Sequence, residues 1–146
     1  MKTKQRTLAA LVSLVVFLVF ATPTQADTYY SIDKVIDNLI VIESGGKADA
    51  VGDRGLAVGV LQIHPIMIRE ANRILGREAF TVADRLNPVK SRQVAKVFLS
   101  YQVDRYKKKY GEYPSELRLA CSWNSGSIMK QMPGAYLKKY IKFEEM

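Results

Sequence analysis

The sequence predicts a single, mainly α-helical domain, and three observations lead to that prediction. Apolar residues recur at offsets of three and four along much of the chain after residue 30, which is the period of a helix. No stretch keeps the sustained apolar–polar alternation of a half-buried strand. Residues 27–146 are numerous enough for one domain with one hydrophobic core. We therefore expect packed helices rather than a sheet.

The first 26 residues have the composition of a signal peptide. Three basic residues among the first six precede an uncharged apolar run, residues 8–21, and Thr24-Gln25-Ala26 supplies a small-x-small cleavage site. The apolar run is shorter than the ~20 residues that span a bilayer as a helix. We predict a signal peptide over 1–26, a domain over 27–146, and export to the periplasm or the extracellular space. An uncleaved anchor is the alternative.

The net charge limits the class of partner. Removing the three basic leader residues takes the formal charge from +8 to +5. A modest positive charge suits a cell-wall polymer or an anionic membrane surface. A nucleic-acid-binding protein would need a more concentrated basic face, so no nucleic-acid partner is predicted. The single cysteine, Cys121, cannot form an intramolecular disulfide and is predicted to be a small buried hydrophobe.

The first helix is expected from Ser31, as its N-cap, to about Ser44, where Gly45-Gly46 ends it. A polar, glycine-rich loop follows over residues 47–55. Its acidic residues lack the regular alternation of an EF-hand, so no metal is predicted. Residues 58–63 are short and alternate poorly, which leaves a strand or an entry turn open.

Proline, glycine and asparagine set the boundaries of the remaining helices. They are expected over residues 66–75 after Pro65, 82–86 as a short turn, 88–110 after Asn87, 116–123 and 136–143, with a turn at 124–127. Three lysines, 107–109, lie at the end of the longest helix, where they favour its dipole. Attraction to a wall or a membrane is the second interpretation of these lysines.

Glu43 breaks the usual pattern of a surface helix. Leu39 and Ile40, then Val35 and Ile36, precede it at offsets that place its carboxylate on the apolar face. A carboxyl group on a buried stripe loses hydration, so its pKa should rise. A raised pKa keeps the proton available near neutral pH, which is the state that a general acid needs.

Three short motifs could carry chemistry: Glu43-Ser44-Gly45-Gly46, Gly59-Val60-Leu61-Gln62-Ile63 and Trp123-Asn124-Ser125-Gly126. Each is weak alone. A glutamate before glycines is a common helix end, a glutamine in an apolar run is often a satisfied core amide, and an aromatic residue before an Asn-x-Gly turn is ordinary packing.

Together, in this order, the motifs resemble the lysozyme-like domain of the soluble lytic transglycosylases. That family carries Glu-Ser at a helix end, then Gly-Leu-Met-Gln-Ile, then Ala-Tyr-Asn-x-Gly. Glu43-Ser44 matches directly, and Val60-Leu61 replaces Leu-Met in the second motif. The third motif matches only at Asn124 and Gly126, with Trp123 as an aromatic replacement. The resemblance implies a single lysozyme-like helical domain of the goose type, with a substrate cleft.

The resemblance also implies an activity, namely cleavage of the β-1,4 bond between N-acetylmuramic acid and N-acetylglucosamine in peptidoglycan. Glu43 would be the single catalytic acid, because the N-acetyl group of the substrate supplies the nucleophile. It would next act as a base on the 6-hydroxyl, which gives a 1,6-anhydromuramic end. The absence of an evident second carboxylate fits that scheme. No cofactor or metal is implied.

Supporting roles follow from the same resemblance. Ser44 would bind near the N-acetyl group, Gln62 would contact the substrate or hold the cleft, and Asn124 would orient a sugar or Glu43. Trp123 could stack on a sugar, with core packing as the alternative.

The family also places a tyrosine hydroxyl near the acid. Tyr136 in the last helix fits that pattern best, and Tyr140 is the rival. His64, the only histidine, is interpreted as cleft lining or packing, because a catalytic histidine would need a partner that the sequence does not show.

Two other functions stay open at this point. A lysozyme-type hydrolase would use the same acid but let water reach the intermediate. A non-catalytic peptidoglycan-binding domain would keep the fold without needing a buried acid. The expected partner is the glycan strand of peptidoglycan, acted on by a monomer, and a cell-envelope machine is left open as a further partner.

Overall fold

The computed structural model describes residues 31–145, and five α-helices account for most of them. The helices are α1 Ile32–Ser44, α2 Pro65–Leu75, α3 Pro88–Tyr110, α4 Glu116–Ser125 and α5 Gly134–Glu144. Two antiparallel strands of two residues each, β1 Val51–Gly52 and β2 Ala57–Val58, form the sheet of this part of the chain. Short 3₁₀ helices cover Asp53–Gly55 and Val82–Leu86. The prediction of a mainly helical domain is confirmed.

The local end signals work as the sequence predicts, with one exception. Glycine in the left-handed conformation follows α1, α2, α3 and α4. Asn87 accepts hydrogen bonds from two backbone N–H groups at the start of α3, and Thr81 forms a capping box with Asp84. Ser31 is the exception, because its backbone is extended but its side chain makes no capping bond.

Three expected boundaries differ from the structure, and one of them is the start of α5, which lies two residues earlier than predicted, at Gly134. Helix α4 continues through Asn124 and Ser125, where a turn was predicted, and ends at Gly126. Only the first residue of the segment 58–63 belongs to a strand. The rest turns back, so that Ile63 and Val58 exchange backbone hydrogen bonds. The entry-turn interpretation therefore describes most of this segment.

Helix α3 lies at the centre and packs against α1, α2 and α4. The fully buried residues around it include Val35, Ile36 and Leu39 of α1, Phe98 and Leu99 of α3, Leu119 of α4 and Tyr140 of α5. Cys121 is 1% exposed within this core, which confirms its prediction as a small buried hydrophobe. Burial of this continuous apolar surface is the main stabilising contribution to the fold.

The predicted signal peptide lies outside the described residues and stays a prediction. Within residues 31–145, every helix is too short or too polar to cross a membrane.

Candidate active site

Glu43 lies in the last turn of α1, half-buried, next to the buried residues Leu39 and Ile42. Loss of hydration raises the pKa of this carboxyl group above its ordinary value of 4.5. The direction agrees with the expectation from the apolar stripe. It has a local cause, because a residue that continues the stripe must point toward the packed neighbours of α1.

Tyr136, in the first turn of α5, donates a hydrogen bond from its hydroxyl to Oε1 of Glu43 over 2.8 Å. Its side chain is 7% exposed, and burial next to the carboxylate raises its own pKa, so it remains protonated and a donor. This bond favours the ionised form of Glu43 and partly offsets the effect of burial on the pKa of the acid. We refer to Glu43 and Tyr136 as the acid pair.

Tyr140, the rival tyrosine, lies elsewhere. Its hydroxyl accepts a hydrogen bond from Asn38 over 3.2 Å, and its side chain is fully buried. Of the two tyrosines that the sequence singled out, the structure therefore brings Tyr136 next to the acid.

Lys139 lies one turn beyond Tyr136 in α5 and faces the same region. Its positive charge lowers the pKa of Glu43, although less than the tyrosine bond does. The sequence analysis missed this lysine. Its spacing of three from Tyr136 was the available signal, since residues three apart share one face of a helix.

Ser44 connects α1 to the segment that follows β2. Its hydroxyl lies 2.8 Å from the carbonyl of Val60 and 3.2 Å from that of Ile40, and it accepts from the N–H of Gly46. The hydroxyl therefore already has protein partners for its proton and for one lone pair. Its predicted contact with an N-acetyl group stays a prediction.

Gln62 holds the glycine loop, which we define as residues 45–64. Its amide nitrogen donates to the carbonyls of Ala50 and Gly59 over 3.1 and 3.0 Å. Its backbone has φ +47°, an uncommon conformation for a residue with a side chain. Two roles were predicted for Gln62, substrate contact or holding the cleft. The bonds favour holding the cleft, because both amide hydrogens are used within the loop.

Arg85, in the 3₁₀ helix that precedes α3, binds the glycine loop through hydrogen bonds. Its guanidinium donates to the carbonyls of Leu56 and Ile63 over 2.9 and 3.0 Å. Its own carbonyl occupies the place that a Cβ atom on Gly59 would take. Glycine is thus required at position 59 by this close approach and by its φ of +77°. No local pattern in the sequence marks Arg85, because its partners lie more than twenty residues away.

The third motif lies at the end of α4. Trp123 is 7% exposed, packs edge-on against Phe98 with ring centroids 5.9 Å apart, and donates its indole N–H to the carbonyl of Leu61. This environment favours core packing over stacking on a sugar. Asn124 is exposed, and within residues 31–145 its side chain makes no hydrogen bond, so it is available to a ligand.

His64 has a partner that the sequence did not reveal. Its Nε2 lies 3.2 Å from Oδ2 of Asp53 in the glycine loop. Both side chains are well exposed, so the pair contributes little to stability. Within residues 31–145, no group of three potential ligands could hold a metal ion.

The arrangement offers one half-buried carboxyl group with a raised pKa, held at one oxygen by a buried tyrosine. Oε2 of Glu43 receives no hydrogen bond within residues 31–145, so it is the oxygen available to carry a proton to a ligand. Such a group can protonate a poor leaving group in a polysaccharide.

Comparison with known proteins adds one match. The family model described as the transglycosylase SLT domain matches residues 22–144, which is most of the chain. Neither the comparison with curated proteins nor that with solved structures gives a match.

Proposed function

The chain belongs to the transglycosylase SLT domain family, and on that premise we propose that it is a lytic transglycosylase with Glu43 as its single catalytic acid. The family is of the transglycosylase type and acts on the glycan strands of peptidoglycan. The bond proposed to be cleaved is the β-1,4 linkage from N-acetylmuramic acid to N-acetylglucosamine. The acid pair is the observation that carries this proposal.

In the first step, Glu43 transfers its proton from Oε2 to the glycosidic oxygen, and the bond between that oxygen and C1 breaks. The N-acetyl oxygen of the same muramic sugar attacks C1 and spreads the positive charge. Burial supports this step, because it favours the protonated carboxyl group that a general acid requires. The hydrogen bond from Tyr136 fixes the orientation of the carboxyl group.

In the second step, the Glu43 carboxylate removes the proton from the 6-hydroxyl of the same sugar. The 6-oxygen then attacks C1, and the bond from C1 to the acetyl oxygen breaks. Glu43 is protonated again, and no water is consumed. The donated bond from Tyr136 and the charge of Lys139 stabilise the carboxylate formed after the first step, so they support the change of role from acid to base.

The other candidate residues divide into two groups by their bonding. Ser44 and Gln62 hold the glycine loop in the conformation that a substrate would meet. Asn124 is exposed and makes no bond within the described residues, so it is the side chain that we assign to direct contact with a sugar. We further propose that the protein acts after export, which the leader-like residues 1–26 support.

The decisive experiment is mass spectrometry of purified peptidoglycan after incubation with the protein and with Glu43→Gln. The proposal expects muropeptides with 1,6-anhydromuramic ends, lighter by one water than hydrolytic products. The variant should release about a thousand-fold less, because the amide of glutamine has no acidic proton to transfer. Asp53→Asn is the matched control, since it makes the same chemical change at an exposed carboxylate of the glycine loop.

Each other result has a definite meaning. Reducing ends in place of anhydro ends would make the protein a hydrolase with the same acid. Equal activity of Glu43→Gln and the wild type would remove Glu43 from the mechanism. Sedimentation with peptidoglycan but no product from either protein would indicate a binding domain.

A further inference from the structure

The two ends of α3 hold their cations in different ways. Near its N-terminal end, Arg92 lies 2.7 Å from Asp37 and Lys96 lies 3.0 Å from Asp33, so carboxylates of α1 neutralise them. Near its C-terminal end, Arg105 lies over the ring of Tyr101 instead, with its guanidinium carbon 5.7 Å from the centroid. One helix thus carries a neutralised end and a basic end.

The same arrangement continues around the C-terminal end of α3. Lys109 lies over Tyr110 at 5.0 Å, and Arg118 of α4 lies over Tyr106 at 5.7 Å. Within residues 31–145, neither Arg105, Lys109 nor Arg118 forms an ion pair. Contacts with the faces of aromatic rings hold Lys109 and Arg118 without cancelling their charge, whereas the carboxylate of Glu70 in α2 lies close enough to Arg105 to interact with its charge.

We define residues 105–113 as the basic corner. Every residue from 107 to 113 is exposed, and the rings of Tyr110 and Tyr113 are 50% and 44% exposed. A small ligand needs a concave site, which a run of seven consecutive exposed residues does not provide. A broad surface fits such a protruding corner better.

We propose that the basic corner docks the protein on an anionic phospholipid surface. The chemistry of the corner fits that partner in two respects. Its four cations, Arg105 and Lys107 to Lys109, outnumber Glu112 within the corner and Asp104 just before it, and clustered basic residues are attracted to anionic lipid headgroups. Exposed tyrosines add rings that are apolar in the body and polar at the tip, which suits the interface between membrane and water.

The corner shares no residue with the acid pair and lies beyond the part of α3 that packs next to the glycine loop. Phe98 of α3 contacts Trp123, which in turn bonds the glycine loop at Leu61. Tyr110 lies twelve residues beyond Phe98, or about 18 Å along the helix axis. The proposed docking and the proposed catalysis therefore rest on different residues, and the two functions can be tested independently.

The test is sedimentation of the full chain with vesicles of phosphatidylcholine alone and of phosphatidylcholine with 30% phosphatidylglycerol. The key variant is Lys108→Ala with Lys109→Ala. It should weaken binding to the anionic vesicles by about twenty-five-fold, since each basic residue near such a surface contributes about five-fold. Binding to neutral vesicles should not change.

The matched control is Lys90→Ala with Lys96→Ala, which removes the same charge from the other end of the same helix. It should retain binding within about two-fold of the wild type. Tyr110→Ala should weaken binding to the anionic vesicles several-fold, whereas Val89→Ala, which shortens another exposed apolar side chain of α3, should not.

Equal losses in the two double variants would overturn the proposal, because net charge alone would then explain the binding. Undiminished binding of Lys108→Ala with Lys109→Ala would overturn it as well. If Lys108→Ala with Lys109→Ala lost binding only to purified peptidoglycan and not to vesicles, the corner would bind a wall polymer, and the lipid proposal would be wrong. Glu43→Gln should bind vesicles normally, and the lysine variants should cleave lipid-free peptidoglycan normally, so failure of this proposal is distinguishable from failure of the proposed function.

Discussion

The acid pair and the glycine loop use polar side chains in opposite ways. In the acid pair, the side chains of Glu43 and Tyr136 bond to each other. Around the glycine loop, Ser44, Gln62 and Arg85 bond mainly to backbone carbonyls of the loop. The difference separates two kinds of residue within one candidate site. Changes in the acid pair should alter chemistry with little loss of stability, and changes at the loop should alter its structure first.

Glu43→Gln should have the largest effect on activity, a loss of about a thousand-fold, because a general acid contributes about 10²–10⁴-fold. The measurement is the initial rate of muropeptide release. Stability should behave differently. Burial raises the pKa of Glu43 above 4.5, so its stabilising protonated form is fully present below that pH and is lost as the pH rises through the folded-state pKa.

In the Glu43→Gln variant, the side chain of residue 43 is neutral at every pH. The free energy of unfolding of this variant should therefore decrease less than that of the wild type between pH 4 and pH 8. Thermal unfolding of both proteins over that range tests the expectation. If Glu43→Gln were less stable than the wild type at pH 8, Glu43 would have a structural role. The acid pair would then resemble the glycine loop in stabilising the fold.

Gly59→Ala should have the largest effect on stability, a loss of about 2 kcal/mol or more. A side chain at a positive φ costs about 1–2 kcal/mol, and the backbone carbonyl of Arg85 occupies the site of the new Cβ. Urea unfolding measures the loss. Gly55→Ala provides the control, since it has a positive φ but open space around its Cβ position, and it should cost less. Equal costs would show that the Arg85 contact does not constrain the loop.

Gln62→Ala should lower the free energy of unfolding by about 1–2 kcal/mol, because two hydrogen bonds to loop carbonyls are lost. Activity should fall in part, as a consequence of a looser loop. Urea unfolding and rates of muropeptide release would be compared in the same preparation. Reduced activity with unchanged stability would instead assign Gln62 to substrate binding. Gln62 would then not be a structural residue of the glycine loop.

Tyr136→Phe should lower activity by about ten-fold, since the carboxyl group loses the bond that orients it. That bond also lowers the pKa of Glu43, so the pKa should rise in the variant. Activity that depends on the protonated acid is lost as the pH rises through this pKa. The basic limb of the pH–rate profile should therefore move to higher pH. Tyr140→Phe, which loses a bond to Asn38, should leave the limb in place.

Asn124→Ala should have the smallest effect on stability, within about 0.5 kcal/mol, because the side chain is exposed and has no bond within the described residues. Activity should fall several-fold through loss of a sugar contact, visible mainly as a higher KM. Ser127→Ala, in the following turn, serves as a control. If Asn124→Ala were as active as the wild type, the third motif would not take part in substrate binding.

Helix positions and the raised pKa of Glu43 followed from the sequence because their causes are local. Proline, asparagine and glycine mark helix ends through the conformations that they allow, and the apolar stripe of α1 already places Glu43 toward the core. Asn124 and Ser125 were assigned to a turn for a related reason. They lie just before a glycine, and a boundary within one turn of a cap is poorly fixed by local signals.

The remaining features of the site depend on packing between distant segments. The bond from Tyr136 to Glu43 joins residues 93 apart, and a family resemblance could suggest that pairing but not distinguish Tyr136 from Tyr140 by itself. Arg85 and Lys139 carry no motif at all, and their effects exist only because separate elements meet near the loop and the acid. By itself, the sequence determined most helix boundaries to within about two residues and the face that α1 buries. Only the tertiary structure decided which polar groups meet across those faces, because that depends on how the helices pack.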